Sequence, residues 1–255
     1  MNNVKLLGTT LRPYDMQSAL ERTEEMIISE TGGMIFTPNA TMLYNASRSP
    51  QDSEILSSAD VCLCDGVGVT QACRIIEGRS LPRVCGVDFG ERVAQLCALR
   101  GYSLYLLGGK RGVAEQAAAR LQKKYKGLII AGTHHGYYEK EWQLLSEIAL
   151  ASPDVLFVCL GSPRQERFIY YNRRILPHCV MLGLGGSLDI YSGEKKRAPK
   201  IFRRLGLEWA YRLSKERDRI KKSHLLAFSF AVLKERFCAK VHKNSDKRER
   251  KKVKS

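Results

Sequence analysis

The 255-residue sequence lacks the signatures of several common protein classes. Its eight cysteines include no Cys-x-x-Cys pair, and no group of cysteines and histidines has zinc-finger spacing. The cysteines lie instead in or beside apolar runs, which predicts buried free thiols in a reducing cytoplasm rather than a disulfide scaffold. They are Cys62, Cys64, Cys73, Cys85, Cys97, Cys159, Cys179 and Cys238.

Long apolar runs are also missing. The first residues show no basic stretch followed by an apolar one, so we expect no signal peptide. The longest apolar run near the C-terminus, residues 225–233, is much shorter than the roughly 20 residues that a membrane-spanning helix needs. The sequence has no internal repeat and no linker rich in proline or glycine.

Two nucleotide-binding fingerprints are incomplete. In "GLGGSLD", residues 183–189, Leu188 stands where the third glycine of a dinucleotide fingerprint would be. In "LGGKRG", residues 107–112, the Gly-Lys-Ser/Thr ending of a P-loop is absent. These gaps argue against an enzyme that depends on NAD or S-adenosylmethionine. A glycine-rich turn before a helix nevertheless suits a phosphate group.

Charge is distributed very unevenly along the chain. The net charge is +16, from 42 basic and 26 acidic residues, and 22 of those basic residues but only 7 of the acidic ones lie from Glu194 onwards. The first 193 residues are therefore almost neutral. A cationic end predicts an anionic partner, either an anionic membrane surface or a nucleic acid. Since no RRM, KH or helix-turn-helix pattern appears, nucleic-acid binding remains only as a rival hypothesis.

Apolar runs rich in β-forming residues alternate with segments of helical periodicity, such as 111–125 and 140–151. This alternation predicts a Rossmann-like, doubly wound α/β fold with a mostly parallel sheet, because parallel strands are covered by helices on both faces. Residues 4–11 are predicted to add an edge strand. The strands of the sheet are predicted at 34–39, 59–65, 102–109, 128–134, 154–161 and 179–185.

The composition divides the chain into three parts. Residues 1–193 form the predicted catalytic core, and residues 194–240 form a helical basic appendage. In the appendage, apolar residues from Leu225 to Leu233 are flanked by Lys and Arg, a pattern typical of a helix that lies in a membrane interface. Residues 241–255 are charged and lack apolar anchors, which predicts a disordered tail.

Polar residues and glycines follow the predicted strands, and ligands of open α/β sheets bind beyond the carboxyl ends of the strands. Helix caps and turns explain any single case, but six together predict a binding site. Asp65 is either part of an Asp-Gly turn or a proton acceptor, and the helical pattern after it favours the second reading. His134 and His135 are adjacent, so their side chains should point to opposite sides of a strand, and we predict no metal site there.

Eight blocks, in order along residues 1–220, resemble the WecG/TagA/CpsF family of glycosyltransferases. They are "TPNATML" (37–43), "CDGVGV" (64–69), "LPRVCGVDF" (81–89), "LYLLGG" (104–109), "GYY" (136–138), "LGSPRQE" (160–166), "GLGGSLDIYSGEKKRAP" (183–199) and "LGLEWAYRL" (205–213). One departure is Arg217, which stands where the family often has proline.

The resemblance implies an inverting enzyme that transfers a sugar from a UDP-sugar to an undecaprenyl-diphosphate-linked acceptor at the inner face of the cell membrane. The short length and basic end favour the TagA branch, which transfers N-acetylmannosamine from UDP-ManNAc to lipid-linked GlcNAc in the wall teichoic acid linkage unit. N-acetylmannosaminuronic acid or glucose donors, for capsule or exopolysaccharide, remain alternatives. No cofactor is implied, and a homo-oligomer is left open.

The resemblance also assigns residue roles. Asp65 is implied as the general base that deprotonates the acceptor hydroxyl. The other implied catalytic-pocket residues are Thr37, Asn39, Arg83 and Gln165. The implied UDP-sugar residues are Gly109, Tyr137, Gly185, Gly186 and Asp189. The residues implied to contact the lipid diphosphate or the membrane are Arg197, Arg203, Arg204, Arg212 and Arg219.

Overall fold

The computed structural model describes residues 3–199, 201, 202, 208, 211 and 224–238. Its strands are β1 (Val4–Leu6), β2 (Thr9–Leu11), β3 (Gly33–Phe36), β4 (Val61–Cys62), β5 (Ser103–Gly108), β6 (Ile129–His134), β7 (Val155–Cys159) and β8 (Val180–Gly183). Its helices are α1 (Met16–Ile28), α2 (Ala40–Ala46), α3 (Pro50–Ser57), α4 (Val67–Glu77), α5 (Gly86–Arg100), α6 (Val113–Lys124), α7 (Glu141–Ala151), α8 (Arg164–Asn172) and α9 (Ser187–Tyr191). A further helix covers residues 224–238.

Strands β3 to β8 form one six-stranded sheet in the order β4-β3-β8-β7-β5-β6. Every neighbouring pair in it is parallel, which confirms the predicted Rossmann-like α/β class. All residues of β7 and β8 are buried, as expected for strands covered on both faces.

Helices cover both faces of the sheet. Apolar residues of α1, α5, α6 and α9 form the core on one face. Those of α2, α3, α4, α7 and α8 form the core on the other face, together with the helix at 224–238. Two apolar layers around one sheet leave the carboxyl ends of the strands as an open edge where loops meet.

The prediction that residues 4–11 add an edge strand was wrong. Residues 4–11 make a separate antiparallel hairpin, β1 and β2, instead of an edge strand of the main sheet. Leu7 and Gly8 form its two-residue turn, and both have positive φ, as in the turns that match the twist of a hairpin. The glycine within the run therefore marked a reversal of the chain.

Strand β4 is shorter than predicted, because regular pairing with β3 ends at Cys62. The backbone of Cys64 then turns to pair with Arg83 in an isolated parallel bridge. Asp65 keeps contact with the end of β3 through its N–H, which donates to the carbonyl of Pro38 at 3.1 Å. Two residues of irregular backbone therefore separate the end of β4 from Asp65.

The helix at 224–238 packs against the body with one face. Phe228 and Val232 are buried in the core cluster that contains Leu6 and Leu11 of the hairpin. The carboxylate of Glu235 accepts a hydrogen bond from the N–H of Leu7 at 2.9 Å. Among the described residues, no helix combines the length and the apolarity that crossing a membrane requires.

The opposite face of this helix is apolar and exposed. It carries the exposed stripe, which we define as Leu226, Phe230, Leu233 and Phe237, with exposures between 58% and 73%. At 3.6 residues per turn these four side chains share one side of the helix, with the exposed Lys234 and Arg236 on either flank. Leu225, Phe228 and Val232, which the sequence analysis assigned to the same apolar surface, face the core instead.

Candidate active site

The direction in which the chain leaves the strands changes between β5 and β7. The chain leaves β5 towards β6 on one side and leaves β7 towards β8 on the other, and ligands of α/β sheets bind where connections diverge in this way. Gly108 ends β5 with φ of +138°. A side chain there would collide with the carbonyl of Cys159 at the end of β7, so glycine permits the close approach of the two strands.

Asp65 and Thr37 meet around Gly86, the first residue of α5. The N–H of Gly86 donates to Oδ2 of Asp65 at 3.3 Å. A Cβ atom on Gly86 would lie 2.7 Å from the hydroxyl oxygen of Thr37, so a side chain at this position would push the two polar groups apart. The sequence predicted that Thr37 and Asp65 share a pocket, and both border Gly86.

Arg83 lies beside this pair. The bridge between Cys64 and Arg83 puts the backbone of the arginine next to that of Asp65, and the N–H of Val84 donates to the carbonyl of Cys64 at 3.0 Å. Asp65 is half-buried and Arg83 is exposed. Because α4 begins directly after Gly66, the alternative that Asp65 belongs to a hairpin turn was wrong.

Gln165 is buried to 1% exposure, and its amide bonds within the protein at both ends. Its Oε1 accepts from the N–H of Gly185 at 2.8 Å, and its Nε2 donates to Oε1 of Glu166 at 2.6 Å. On the other side of the same turn, the Thr37 hydroxyl donates to the carbonyl of Gly183 at 3.2 Å. Gln165 and Thr37 therefore hold the turn that follows β8.

Glu166 was missed as a site residue, although "PRQE" places it next to Gln165. It is 3% exposed, and burial is the main cause that raises the pKa of its carboxyl. Its Oε2 is buried, and the interactions of the carboxyl with Gln165 and Ser162 offset only part of the effect of burial on its pKa. The signal in the sequence was a carboxylate beside an amide at the start of a helix, which is too common to distinguish it from a surface residue.

Asn39 has a structural task. It is the exposed N-cap of α2, and its side-chain oxygen accepts from the N–H of Met42 at 3.1 Å. The cap accounts for the oxygen atom, so a contact of Asn39 with substrate remains a prediction.

Three loops join at the ends of β5, β6 and β7. The N–H of Gly136 donates to the carbonyl of Gly109 at 2.9 Å. Arg164 donates to the carbonyl of Gly136 at 2.8 Å, and its guanidinium lies 4.6 Å from the ring centre of Tyr138. Gly109 and the exposed Tyr137 thus lie in one loop cluster, and the UDP-sugar contacts that the resemblance implies for them remain a prediction.

The imidazole rings of His134 and His135 have centroids 4.5 Å apart, so the expectation that they point to opposite sides was wrong. Strand β6 ends at His134, and side-chain alternation ends with it. Desolvation is the main cause that lowers the pKa of His135, with His134 and Arg111 adding to it. Within the described part of the chain, no three histidine, cysteine or acidic side chains are grouped as a metal would require.

Two predicted ligand residues form ion pairs in the start of the appendage. Oδ2 of Asp189, in α9, lies 2.7 Å from the ammonium group of Lys195. Arg197 donates to both carboxylate oxygens of Asp88, at 2.5 and 2.6 Å, and so ties the appendage to the first turn of α5. The structure therefore places Arg197 beside α5. Arg203, Arg204, Arg212 and Arg219 lie outside the described residues.

The predicted thiol pattern is largely confirmed. All eight cysteines are free, and six of them are buried. The exceptions are Cys85, half-buried next to α5, and Cys238, exposed at the end of the last helix. Burial is the main cause that raises the pKa of Cys85 to about 12, so this thiol is protonated at neutral pH.

Comparison with known proteins identifies relatives along nearly the whole chain. The model of the Glycosyl transferase WecG/TagA/CpsF family matches residues 4–242. A Bacillus subtilis strain 168 protein is 33% identical over 228 residues, 88% of this chain and 89% of the relative. A Bacillus spizizenii protein is 35% identical over 83% of both chains, and a Staphylococcus aureus MW2 protein is 30% identical over 85% and 86% of them. All three relatives are named N-acetylglucosaminyldiphosphoundecaprenol N-acetyl-beta-D-mannosaminyltransferase.

Proposed function

The chain belongs to the WecG/TagA/CpsF family of glycosyl transferases, and on that premise we propose that it transfers N-acetylmannosamine from UDP-ManNAc to N-acetylglucosaminyldiphosphoundecaprenol. The product is the linkage unit of wall teichoic acid. The structural observation that carries the proposal is the grouping of a half-buried carboxylate, Asp65, with the exposed Arg83 at the ligand-binding edge of the sheet.

Asp65 acts as the general base. The acceptor is an alcohol, and its hydroxyl must lose a proton as the oxygen attacks the anomeric carbon. The N–H of Gly86, at 3.3 Å, holds one carboxylate oxygen and fixes the direction of the other. The attack occurs from the face opposite UDP in one displacement, so the configuration at the anomeric carbon is inverted.

The leaving diphosphate requires positive charge as the bond to the sugar breaks. Arg83 is adjacent to Asp65 and exposed, which supports a role at the diphosphate. Arg197 reaches this group only if it exchanges Asp88 for the phosphate, because both carboxylate oxygens of Asp88 now accept from it. Further arginines of the basic end supply the remaining charge in this proposal.

The lipid acceptor places the enzyme at the inner surface of the cell membrane. The exposed stripe of the helix at 224–238 supports this location, because four apolar side chains with a cation on each flank match an interfacial helix. Each basic residue near an anionic leaflet contributes about 1 kcal/mol of attraction. The cationic end of the chain adds to the same effect.

A donor panel tests the activity. The purified protein is incubated with a short-chain lipid-diphosphate-GlcNAc and, separately, with UDP-ManNAc, UDP-GlcNAc, UDP-N-acetylmannosaminuronic acid and UDP-glucose, and the lipid product is weighed by mass spectrometry. We expect one N-acetylhexosamine to be added from UDP-ManNAc, with inverted configuration by NMR. Addition of a uronic acid or a hexose would assign the protein to a capsule or exopolysaccharide pathway, and no transfer from any donor would reject the proposal.

A further inference from the structure

The contacts around Gln165 point to a positioning residue that neither the sequence nor the relatives assign. Gln165 could orient its amide in two ways, which differ by exchange of the oxygen and the nitrogen. The turn after β8 needs the oxygen, because Gly185 presents an N–H at 2.8 Å. The nitrogen of the amide therefore faces away from the turn, where a hydrogen-bond acceptor can fix it.

Glu166 supplies that constraint. Its Oε1 lies 2.6 Å from Nε2 of Gln165 and accepts from it, either as a carboxylate oxygen or as the carbonyl oxygen of a neutral carboxyl. A flipped amide would set two oxygens against each other at Glu166 and two N–H groups against each other at Gly185. Both side chains are almost fully buried, at 1% and 3% exposure, so water does not replace either bond.

The turn held in this way borders the candidate active site. Gly185 has φ of +58°, and within the described part of the chain no atom beyond its two chain neighbours lies within 4 Å of the position that its Cβ would occupy. The same turn is held from the other side by Thr37, which borders Gly86, the residue whose N–H donates to Asp65. A shift of the turn would therefore be transmitted to the pocket that contains the carboxylate.

We propose that Glu166 is a positioning residue: through the amide of Gln165 it fixes the Gly185 N–H, and with it the turn at residues 184–186 that borders the sugar-transfer pocket. The proposal rests on the proposed function only in naming that pocket. Glu166 itself is too deeply buried to touch a substrate.

A conservative substitution should preserve this effect. In Glu166→Gln the side-chain oxygen still accepts from Gln165, and the new NH₂ takes the place of Oε2. Glu166 lines a cavity of about 30 Å³ together with Ser162, which also interacts with its carboxyl. The hydroxyl oxygen of Ser162 can accept a hydrogen bond from the new NH₂ group.

Removal of the acceptor should free the turn. Glu166→Met keeps the length of the side chain without an oxygen atom, so the amide of Gln165 is no longer held in one orientation. We expect amide hydrogen exchange at Gly185 in the substrate-free, full-length protein to rise about tenfold, the factor for loss of one hydrogen bond, and Glu166→Gln to remain near the wild-type rate. Turnover should fall about tenfold to a hundredfold in Glu166→Met, with the loss in kcat.

A matched control separates positioning from stability. Leu56→Ala enlarges the same cavity from its apolar side and does not touch Gln165. It should lower the melting temperature yet leave Gly185 exchange at the wild-type rate. Asp65→Asn should abolish transfer with unchanged exchange at Gly185, so failure of the proposed function and failure of this inference give different results.

The inference is overturned if Glu166→Met folds and Gly185 exchanges at the wild-type rate, or if Leu56→Ala accelerates that exchange as much as Glu166→Met does. If Glu166→Met does not fold, Gln165→Met and Glu166→Gln decide. The inference then requires faster exchange in the first and the wild-type rate in the second, and any other pair of rates rejects it.

Discussion

In folded proteins, apolar side chains are usually buried and polar ones exposed. The candidate active site and the helix at 224–238 depart from this rule in opposite ways. In the pocket, polar side chains such as Gln165 and Glu166 are buried among apolar ones. In the helix at 224–238, phenylalanines and leucines lie exposed between cations. Buried polar groups are maintained only when hydrogen bonds orient them, and exposed apolar groups in a row indicate a surface that meets something else. The buried polar groups and the exposed apolar row therefore lie in different parts of one chain.

The sharpest test of this division is Asp65→Asn. The amide cannot accept the hydroxyl proton, so transfer should fall about 10²–10⁴-fold, the range typical of a lost general base. UDP binding, followed by calorimetry, and binding to anionic vesicles should both stay at the wild-type level. Near-normal turnover would remove Asp65 from the mechanism, and loss of vesicle binding would show that the two regions are not separate.

Phe228→Ala should weaken the packing of the helix at 224–238 against the body of the protein. Phe228 is 5% exposed within the core cluster that includes the N-terminal hairpin, and truncation of a buried phenylalanine typically costs about 3–5 kcal/mol. Urea unfolding should report the loss in stability. Phe230→Ala, two residues away on the exposed stripe, is the control and should change stability by less than about 0.5 kcal/mol. Equal losses would mean that the two faces of the helix are not distinguished.

The exposed stripe can be tested without disturbing the fold. Phe230→Ser with Phe237→Ser removes two phenylalanines that are about 70% exposed, and it should weaken binding to anionic vesicles about tenfold for each, measured by flotation. Leu150→Ser removes a leucine of α7 that is 87% exposed and should have no effect. If the double variant floats like the wild type, the stripe contacts a protein partner or a second copy instead.

The smallest expected effect concerns the buried carboxyl of Glu166. Its pKa is raised in the folded protein, mainly by burial, so the folded protein favours the protonated carboxyl. This favourable contribution is complete below the pKa that Glu166 has in the unfolded chain. It is lost as the pH rises through the pKa of Glu166 in the folded protein. Stability should therefore decline from about pH 4.5 upwards, by at most about 1.4 kcal/mol per pH unit, and Glu166→Gln should flatten that decline. Denaturant unfolding between pH 4 and 8 measures it, and identical slopes for both proteins would contradict the assignment.

Most of the fold could be predicted because buried parallel strands appear as uninterrupted apolar runs bounded by glycine or polar residues. The order of the strands could not, since the pairing of β8 between β3 and β7 depends on contacts between distant segments. The hairpin at residues 4–11 was mistaken for one strand because its turn is only two residues long.

For the candidate site, the sequence indicated individual residues but not the contacts that they make. Asp65 bonds to the N–H of Gly86, and Thr37 and Gln165 both bond to the turn after β8, so all three lie at strand ends; their roles in a site remain predictions. That Gln165 bonds to Gly185 and Arg197 to Asp88 depends on side-chain direction, which the sequence does not specify. In the last helix both faces are apolar, so periodicity alone could not say that Phe228 packs inward while Phe230 faces outward.

The bond between Leu7 and Glu235 joins segments that are 228 positions apart. During synthesis on the ribosome, the first hairpin emerges long before its partner helix, so its side of the body stays incomplete until the residues around 235 have left the ribosome. The exposed stripe acquires its fixed orientation at that same late moment, because it lies on the same helix. A chain that stops before this helix would thus lack both the completed body and the exposed stripe.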